Sequence, residues 1–136
     1  MVIISCTYEG KLNCKALHEP SGKTLKTDAP VDNHGKGSTF SPTDLIATAL
    51  GTCYLTVMGI QAEAHGVEMK GTTARVEKHM SAEQPRRITK LVIQVDFCPG
   101  IPLNRRGLLE AVAVNSPTTK SLHPDINIEY SFNFPD

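Results

Sequence analysis

The sequence predicts an α+β fold built on antiparallel sheet around one long central helix, and three observations predict it. The first is a single unbroken helical segment, Ser41 to His65 (SPTDLIATALGTCYLTVMGIQAEAH). The second is a set of short alternating strands on both sides of it, in the order β-β-β-α-β-β-α-β. The third is the absence of any internal repeat or low-complexity linker, so that 1–136 reads as one domain.

Taken in order, residues 2–7 and 11–18 read as strands around a turn at Glu9-Gly10. Glu19-Pro20-Ser21-Gly22 is the next turn, and Lys23 to Thr27 makes a third strand. Residues 28–40 (DAPVDNHGKGSTF) have the composition of a loop. Ser41 then caps the long helix, Pro42 suits its first position, and Asp44 completes a capping box. Leu45, Ile46, Ala49, Leu50, Cys53, Val57, Ile60 and Ala64 recur at helical spacing as its expected buried stripe, and Gly66 ends it. Such a helix is roughly 36 Å long.

Met69 to Met80 and Ile88 to Phe97 read as a hairpin, with Leu91, Ile93, Val95 and Phe97 on one face. A second helix runs from Leu103 to Val114, with Leu108, Leu109, Val112 and Ala113 inward. A helical turn follows at Thr118 to Leu122. The last strand alternates cleanly through Ile126, Ile128, Tyr130, Phe132 and Phe134. A helix this long and apolar is expected to need cover from a second copy, in a dimer whose sheets wrap the helices.

Composition narrows the function. At 40% hydrophobic, 21% charged and zero formal net charge, the 136-residue chain offers no electrostatic pull toward nucleic acid or acidic membrane. It has no apolar run of the ~18 residues that span a bilayer, and its first residues do not pattern as a signal peptide, so a cytoplasmic location is expected. Cys6, Cys14, Cys53 and Cys98 form no CxxC and the five histidines no HxxxH, so no metal or cofactor is expected.

Cys53 is the candidate for chemistry. A free cysteine on a helix usually packs as a small apolar side chain; a reacting one needs a depressed pKa and access. Asp44 serves the helix N-terminus and, nine residues away at 100° each, faces about 180° from Cys53. Arg86-Arg87 reads as a solvated hairpin tip, with an anion-binding role as the alternative.

Ser41-Pro42-Thr43-Asp44-Leu45-Ile46 through Gly51-Thr52-Cys53, with Ser116-Pro117-Thr118-Thr119-Lys120-Ser121-Leu122 near the end, resembles the OsmC/Ohr family of osmotically inducible and organic hydroperoxide resistance proteins. The resemblance implies an OsmC-like fold, an intertwined homodimer with its sites at the subunit interface, and a stress-response role. It also implies a dithiol peroxidase in which one cysteine attacks the peroxide, a second resolves it, and a lipoyl or other external thiol reduces the disulfide.

Cys53 matches the attacking cysteine. The late Cys-Pro of the pattern is Ser116-Pro117 here, the glutamate after the proline is Thr43 with Asp44 one place on, and no arginine precedes Arg75. Lys11, Lys15 or an Arg86 from a partner subunit would have to serve as the cation, and Cys98 or an external thiol as the resolving group. Two readings follow: a peroxidase working through Cys53, or a non-catalytic dimer of the same fold that binds a small apolar ligand.

Overall fold

The computed structural model describes residues 1–135, which form two compact units, 1–46 and 47–135. The boundary falls inside the first helix.

The N-terminal unit is a meander of three antiparallel strands, β1 (Ile4–Gly10), β2 (Asn13–His18) and β3 (Lys23–Asp28), in the order β1-β2-β3. The first turn is at Lys11-Leu12 and not at Glu9-Gly10. Both turn residues have positive φ (54° and 65°), the handedness that matches the twist of a two-residue hairpin, and Gly10 (φ 90°) instead takes up the register shift after Tyr8. The 28–40 segment is a loop with one 3-10 turn at Val31–Asn33. Buried Asp28 closes it: one carboxylate oxygen accepts from the Ser38 backbone N–H at 3.0 Å and the Ser38 hydroxyl at 2.7 Å. Ser38's hydroxyl, then its N–H, hold the Asp28 carboxyl below the usual range; burial pulls the other way, and the Ala29 and Lys36 N–H groups add to the lowering.

The first helix, α1 (Pro42–Ala64), begins and ends where its caps dictate. The Asp44 N–H donates to Ser41 Oγ at 3.1 Å, and the Ser41 N–H donates to an Asp44 carboxylate oxygen at 2.9 Å, so the capping box closes in both directions. At the far end, Gly66 (φ 66°) lets the Val67 N–H reach the Ala62 carbonyl at 2.8 Å and its own N–H the Glu63 carbonyl at 3.3 Å, the paired bonds of a Schellman stop.

In the C-terminal unit α1 packs on a three-stranded sheet of β4 (Thr73–Met80), β5 (Ile88–Asp96) and β6 (Asn127–Asn133), ordered β4-β5-β6. β4 and β5 form the expected antiparallel hairpin, but β6 runs parallel to β5. A parallel neighbour needs a crossover, and α2 (Leu103–Val114) with α3 (Pro117–Ser121) supplies one of the required length. The core joins Leu50, Tyr54 and Met58 of α1 to Leu91, Ile93 and Val95 of β5, all fully buried, and to Leu109 and Ala113 of α2.

The buried face of α1 is not the expected stripe. It is Ala47, Leu50, Gly51, Tyr54, Met58 and Ala62, turned by about one residue, or 100°. The physical reason is close approach: a Cβ on Gly51 would sit 2.9 Å from Val76 Cγ2 of β4, so only small residues at such points let the helix settle on the sheet. Ile46 and Ile60 are left outside at 38% and 60% exposure. Leu108 of α2 is also at the surface, because the inward row there is Leu109 and Ala113. Tyr130 of β6 is 55% exposed.

An 18-residue window of α1 reaches mean hydropathy 1.5, so by length and composition this helix could cross a bilayer, contrary to the count of uninterrupted apolar residues. One face of this helix packs on the β4-β5-β6 sheet, and a third of the window is buried there.

Candidate functional site

Cys53 lies at the edge of the buried face of α1, one residue before Tyr54, and is half-buried. What meets its sulfur comes from the end of the chain. After α2, the Ser116 N–H donates to the Ala113 carbonyl at 3.0 Å, and Ser116 turns the backbone into α3 as its N-cap. Its side-chain oxygen accepts from the Thr119 N–H at 3.2 Å and pairs with the Thr119 hydroxyl at 2.9 Å. Pro117 occupies the first helical position, where a missing N–H costs nothing. The Thr118 N–H, next along, is one of the donors that a helix start leaves without an intrahelical partner.

That donor is among the groups that act on the Cys53 thiol. Burial raises the Cys53 pKa, but the Thr118 hydroxyl, the Thr118 N–H and the Ser116 hydroxyl, in that order, outweigh it, and the thiol is held below its ordinary value. No cation is among the groups acting on it. The groups that favour the thiolate are hydrogen-bond donors of Ser116 and Thr118, on a residue that is only half-buried.

Ser116 was expected as the place where a second thiol is lacking; it is a buried group (1% exposed) whose hydroxyl helps to lower the Cys53 pKa. Thr118 was missed. A signal existed: Ser-Pro-Thr opens α1 at 41–43 and recurs at 116–118, so a second capped helix start was readable. What sequence could not supply was that this start points at Cys53.

The other expected residues have the following places in their own elements. Asp44 spends a carboxylate oxygen on the Ser41 N–H, and the Thr43 hydroxyl lies 3.3 Å from that of Ser41. Lys11 is a turn residue and Lys15 an exposed residue of β2, both in the N-terminal unit. Arg86 stands at the β4–β5 hairpin tip, its N–H on the Gln84 side chain at 3.2 Å.

Cys98, after β5, donates through its thiol to the Glu68 carbonyl at 3.5 Å, while its N–H meets Thr72 Oγ1 at 3.2 Å. Glu68 lies beyond the C-terminal end of α1, whereas Cys53 is eleven positions before Ala64, about 16 Å along the helix axis. A direct bond needs Cα atoms within about 7 Å, so Cys98 cannot resolve Cys53 in this arrangement. Among the described residues all four cysteines are free thiols, and no group of three or more His, Cys, Asp or Glu could hold a metal.

The family model for OsmC-like protein matches residues 35–131, a span that includes both Cys53 and Ser116. No curated protein matches. Among solved structures, a Psychrobacter arcticus 273-4 protein described as an osmotic stress induced and detoxification response protein is similar at 41% identity and TM-score 0.91, over 98% of this chain and 96% of that one. An organic hydroperoxide resistance protein OsmC of Legionella pneumophila superposes at TM-score 0.77 with 15% identity, over 98% and 96% of the two chains. The organic hydroperoxide resistance protein OhrB of Bacillus subtilis does so at 0.71 with 11% identity, over 98% of each. The last two likenesses are of fold.

Proposed function

We propose that this chain, which belongs to the OsmC-like protein family, reduces hydroperoxides through the single thiol of Cys53, as a detoxification protein of the cytoplasm. The observation behind this reading is the set of donors from Ser116 and Thr118 on a half-buried sulfur. The Cys53 thiolate attacks one oxygen of the O–O bond. That bond breaks, the sulfur is oxidised to sulfenic acid, and the departing alkoxide takes a proton and leaves as an alcohol. Because the second position carries Ser116, resolution falls to an external thiol. It attacks the sulfenic sulfur, releases water and forms a mixed disulfide; a further thiolate, or the second sulfur of a lipoyl-type dithiol, then frees Cys53.

A second copy of the chain is the proposed partner. Ile46 and Ile60 face outward on α1, and Ile4, Tyr8 and Leu25 are exposed on the N-terminal sheet. Thr52 and Thr56 turn their hydroxyls back onto the Thr48 and Thr52 carbonyls, both at 2.8 Å, which adds methyl groups to the outer face of the helix. The same apolar exposure favours the other reading, a non-catalytic dimer that binds a small apolar ligand.

Organic hydroperoxide consumption separates the two. Wild type and Cys53→Ser are compared with dithiothreitol and with dihydrolipoamide as reductant. Consumption by wild type that Cys53→Ser loses by at least about a hundredfold supports the peroxidase. Equal background rates for both proteins would sink it and leave the ligand-binding dimer.

A further inference from the structure

The strand register of the N-terminal sheet brings two thiols together. Cys6 of β1 stands opposite Ala16 of β2, and Cys14 of β2 stands opposite Tyr8 of β1. The two cysteines therefore share one face of the sheet and are diagonal neighbours on it. The register shift in this pair of strands comes only after Tyr8, and β2 is the middle strand, paired on both sides, so regular hydrogen bonding sets both positions. Both are free thiols; Cys6 is exposed and Cys14 half-buried. Their spacing in the sequence matches no ligand motif, because the short path between them runs across the hairpin and not along the chain.

We propose that Cys6 and Cys14 form a two-thiolate site for copper(I). Diagonal neighbours in antiparallel sheet have Cα atoms about 7–8 Å apart and Cβ atoms somewhat closer, which is at the far limit for a direct disulfide. A bridging ion adds one atom to the path: two metal–thiolate bonds of roughly 2.3 Å each hold the sulfurs about 4.6 Å apart, a span that suits the diagonal. Among the described residues no third His, Cys, Asp or Glu joins the pair, as a four-ligand zinc site would require. His18 shares the face, but it lies four residues beyond Cys14, about 13 Å along the strand, and its Nδ1 pairs with the Ser21 hydroxyl. Copper(I) is a soft, closed-shell ion that prefers thiolate and is satisfied by two ligands in line. The positions around the pair on this face, Ile4, Tyr8, Ala16, Leu25 and Thr27, carry no carboxylate that would favour a hard cation. On binding, each thiol releases its proton to solvent, and the copper keeps its oxidation state. The inference does not depend on the reading of Cys53. Ile4, Tyr8 and Leu25 also offer this face to a second copy, so stoichiometry decides whether one chain or two supply the thiols.

The test is an anaerobic titration of the reduced, full-length protein with copper(I) alone, in competition with the chelator bathocuproine disulfonate. Wild type is compared with Cys6→Ser, Cys14→Ser, Cys53→Ser and Cys98→Ser. Wild type is expected to draw one copper(I) per chain from the chelator. Cys6→Ser and Cys14→Ser should each weaken binding by more than about a hundredfold, beyond what the loss of a supporting contact costs. Cys53→Ser and Cys98→Ser should bind as wild type does. Cys6 is exposed, so Cys6→Ser should melt at the wild-type temperature without metal, which separates a lost ligand from a lost fold. X-ray absorption of the loaded protein should show two sulfur neighbours. Copper(I) held as tightly by Cys6→Ser as by wild type overturns the inference, as does one ion shared between two chains or a shell of three or more ligands.

Discussion

In β5 the side chains of Leu91, Ile93 and Val95 are completely buried, whereas in β1 Ile4 and Tyr8 are 52% and 64% exposed. Both segments read as strands, and both pair antiparallel with a neighbour. The difference is what lies on the face. The central strand of the C-terminal sheet has α1 and α2 residues against it, and its alternation becomes a core. In the N-terminal sheet every residue of β1 from Ile4 to Glu9 is exposed. Alternation therefore specifies a strand, while burial depends on a packing partner that a single chain need not contain.

The largest effect that would break this comparison is a core truncation. Leu91→Ala should cost about 2–5 kcal/mol in urea denaturation, and Ile4→Ala less than about 0.5 kcal/mol in the monomer. If a second copy covers the β1 face, Ile4→Ala will instead lower a concentration-dependent melting temperature. Sedimentation of the two variants distinguishes the cases.

Two glycines of α1 give the next contrast. Gly51→Ala drives a methyl to 2.9 Å from Val76 and should destabilise by about 1–3 kcal/mol. Gly59, with open space around its Cβ position, should gain up to about 1 kcal/mol as alanine, because helix propensity alone decides there. Equal effects from both would mean that α1 does not rest on the sheet through Gly51.

The two Ser-Pro-Thr helix starts can be set against each other. Ser41→Ala should cost about 1 kcal/mol through its cap and leave the pH midpoint of Cys53 alkylation by iodoacetamide unchanged. Ser116→Ala should show a similar loss and, in addition, a raised midpoint, because the Ser116 hydroxyl is among the groups that lower the Cys53 pKa. Asp44→Ala should resemble Ser41→Ala, in keeping with a capping role.

The smallest effect at neutral pH belongs to the 28–40 loop. Asp28 is held below the usual carboxyl range chiefly by the Ser38 hydroxyl. The folded state thus binds its proton less tightly than the unfolded chain. Its contribution is complete above about pH 4 and is lost as pH falls through the depressed value. Asp28→Asn should flatten the acid side of the stability profile and change little at pH 7.

Much of the fold was legible in the chain because its signals are local. The long helix is bounded by a capping box and a glycine stop, and α2 spans Leu103–Val114 as its periodicity indicates. The direction of β6 was not legible, because a strand's alternation is the same whichever way it is inserted. The inward face of α1 was misread for a related reason. The branched residues mark an apolar stripe, but contact with the sheet selects Ala47, Gly51 and Ala62 for their smallness. At the site, Cys53 was identifiable as the sulfur to watch and Ser116 as a departure from the family pattern. Thr118 was not, since it looks ordinary in its own segment.

Sequence alone determined the elements, the caps that start and stop α1, and the presence of one thiol at the position where the OsmC-like family pattern carries it, since these depend on residues a few positions apart. Only the tertiary structure decided what surrounds that thiol. The crossover through α2 carries Ser116 and Thr118 back to a helix that begins more than seventy residues earlier in the chain. Whether a sulfur ionises depends on the groups within hydrogen-bond reach of it, and in this protein those groups are distant in sequence.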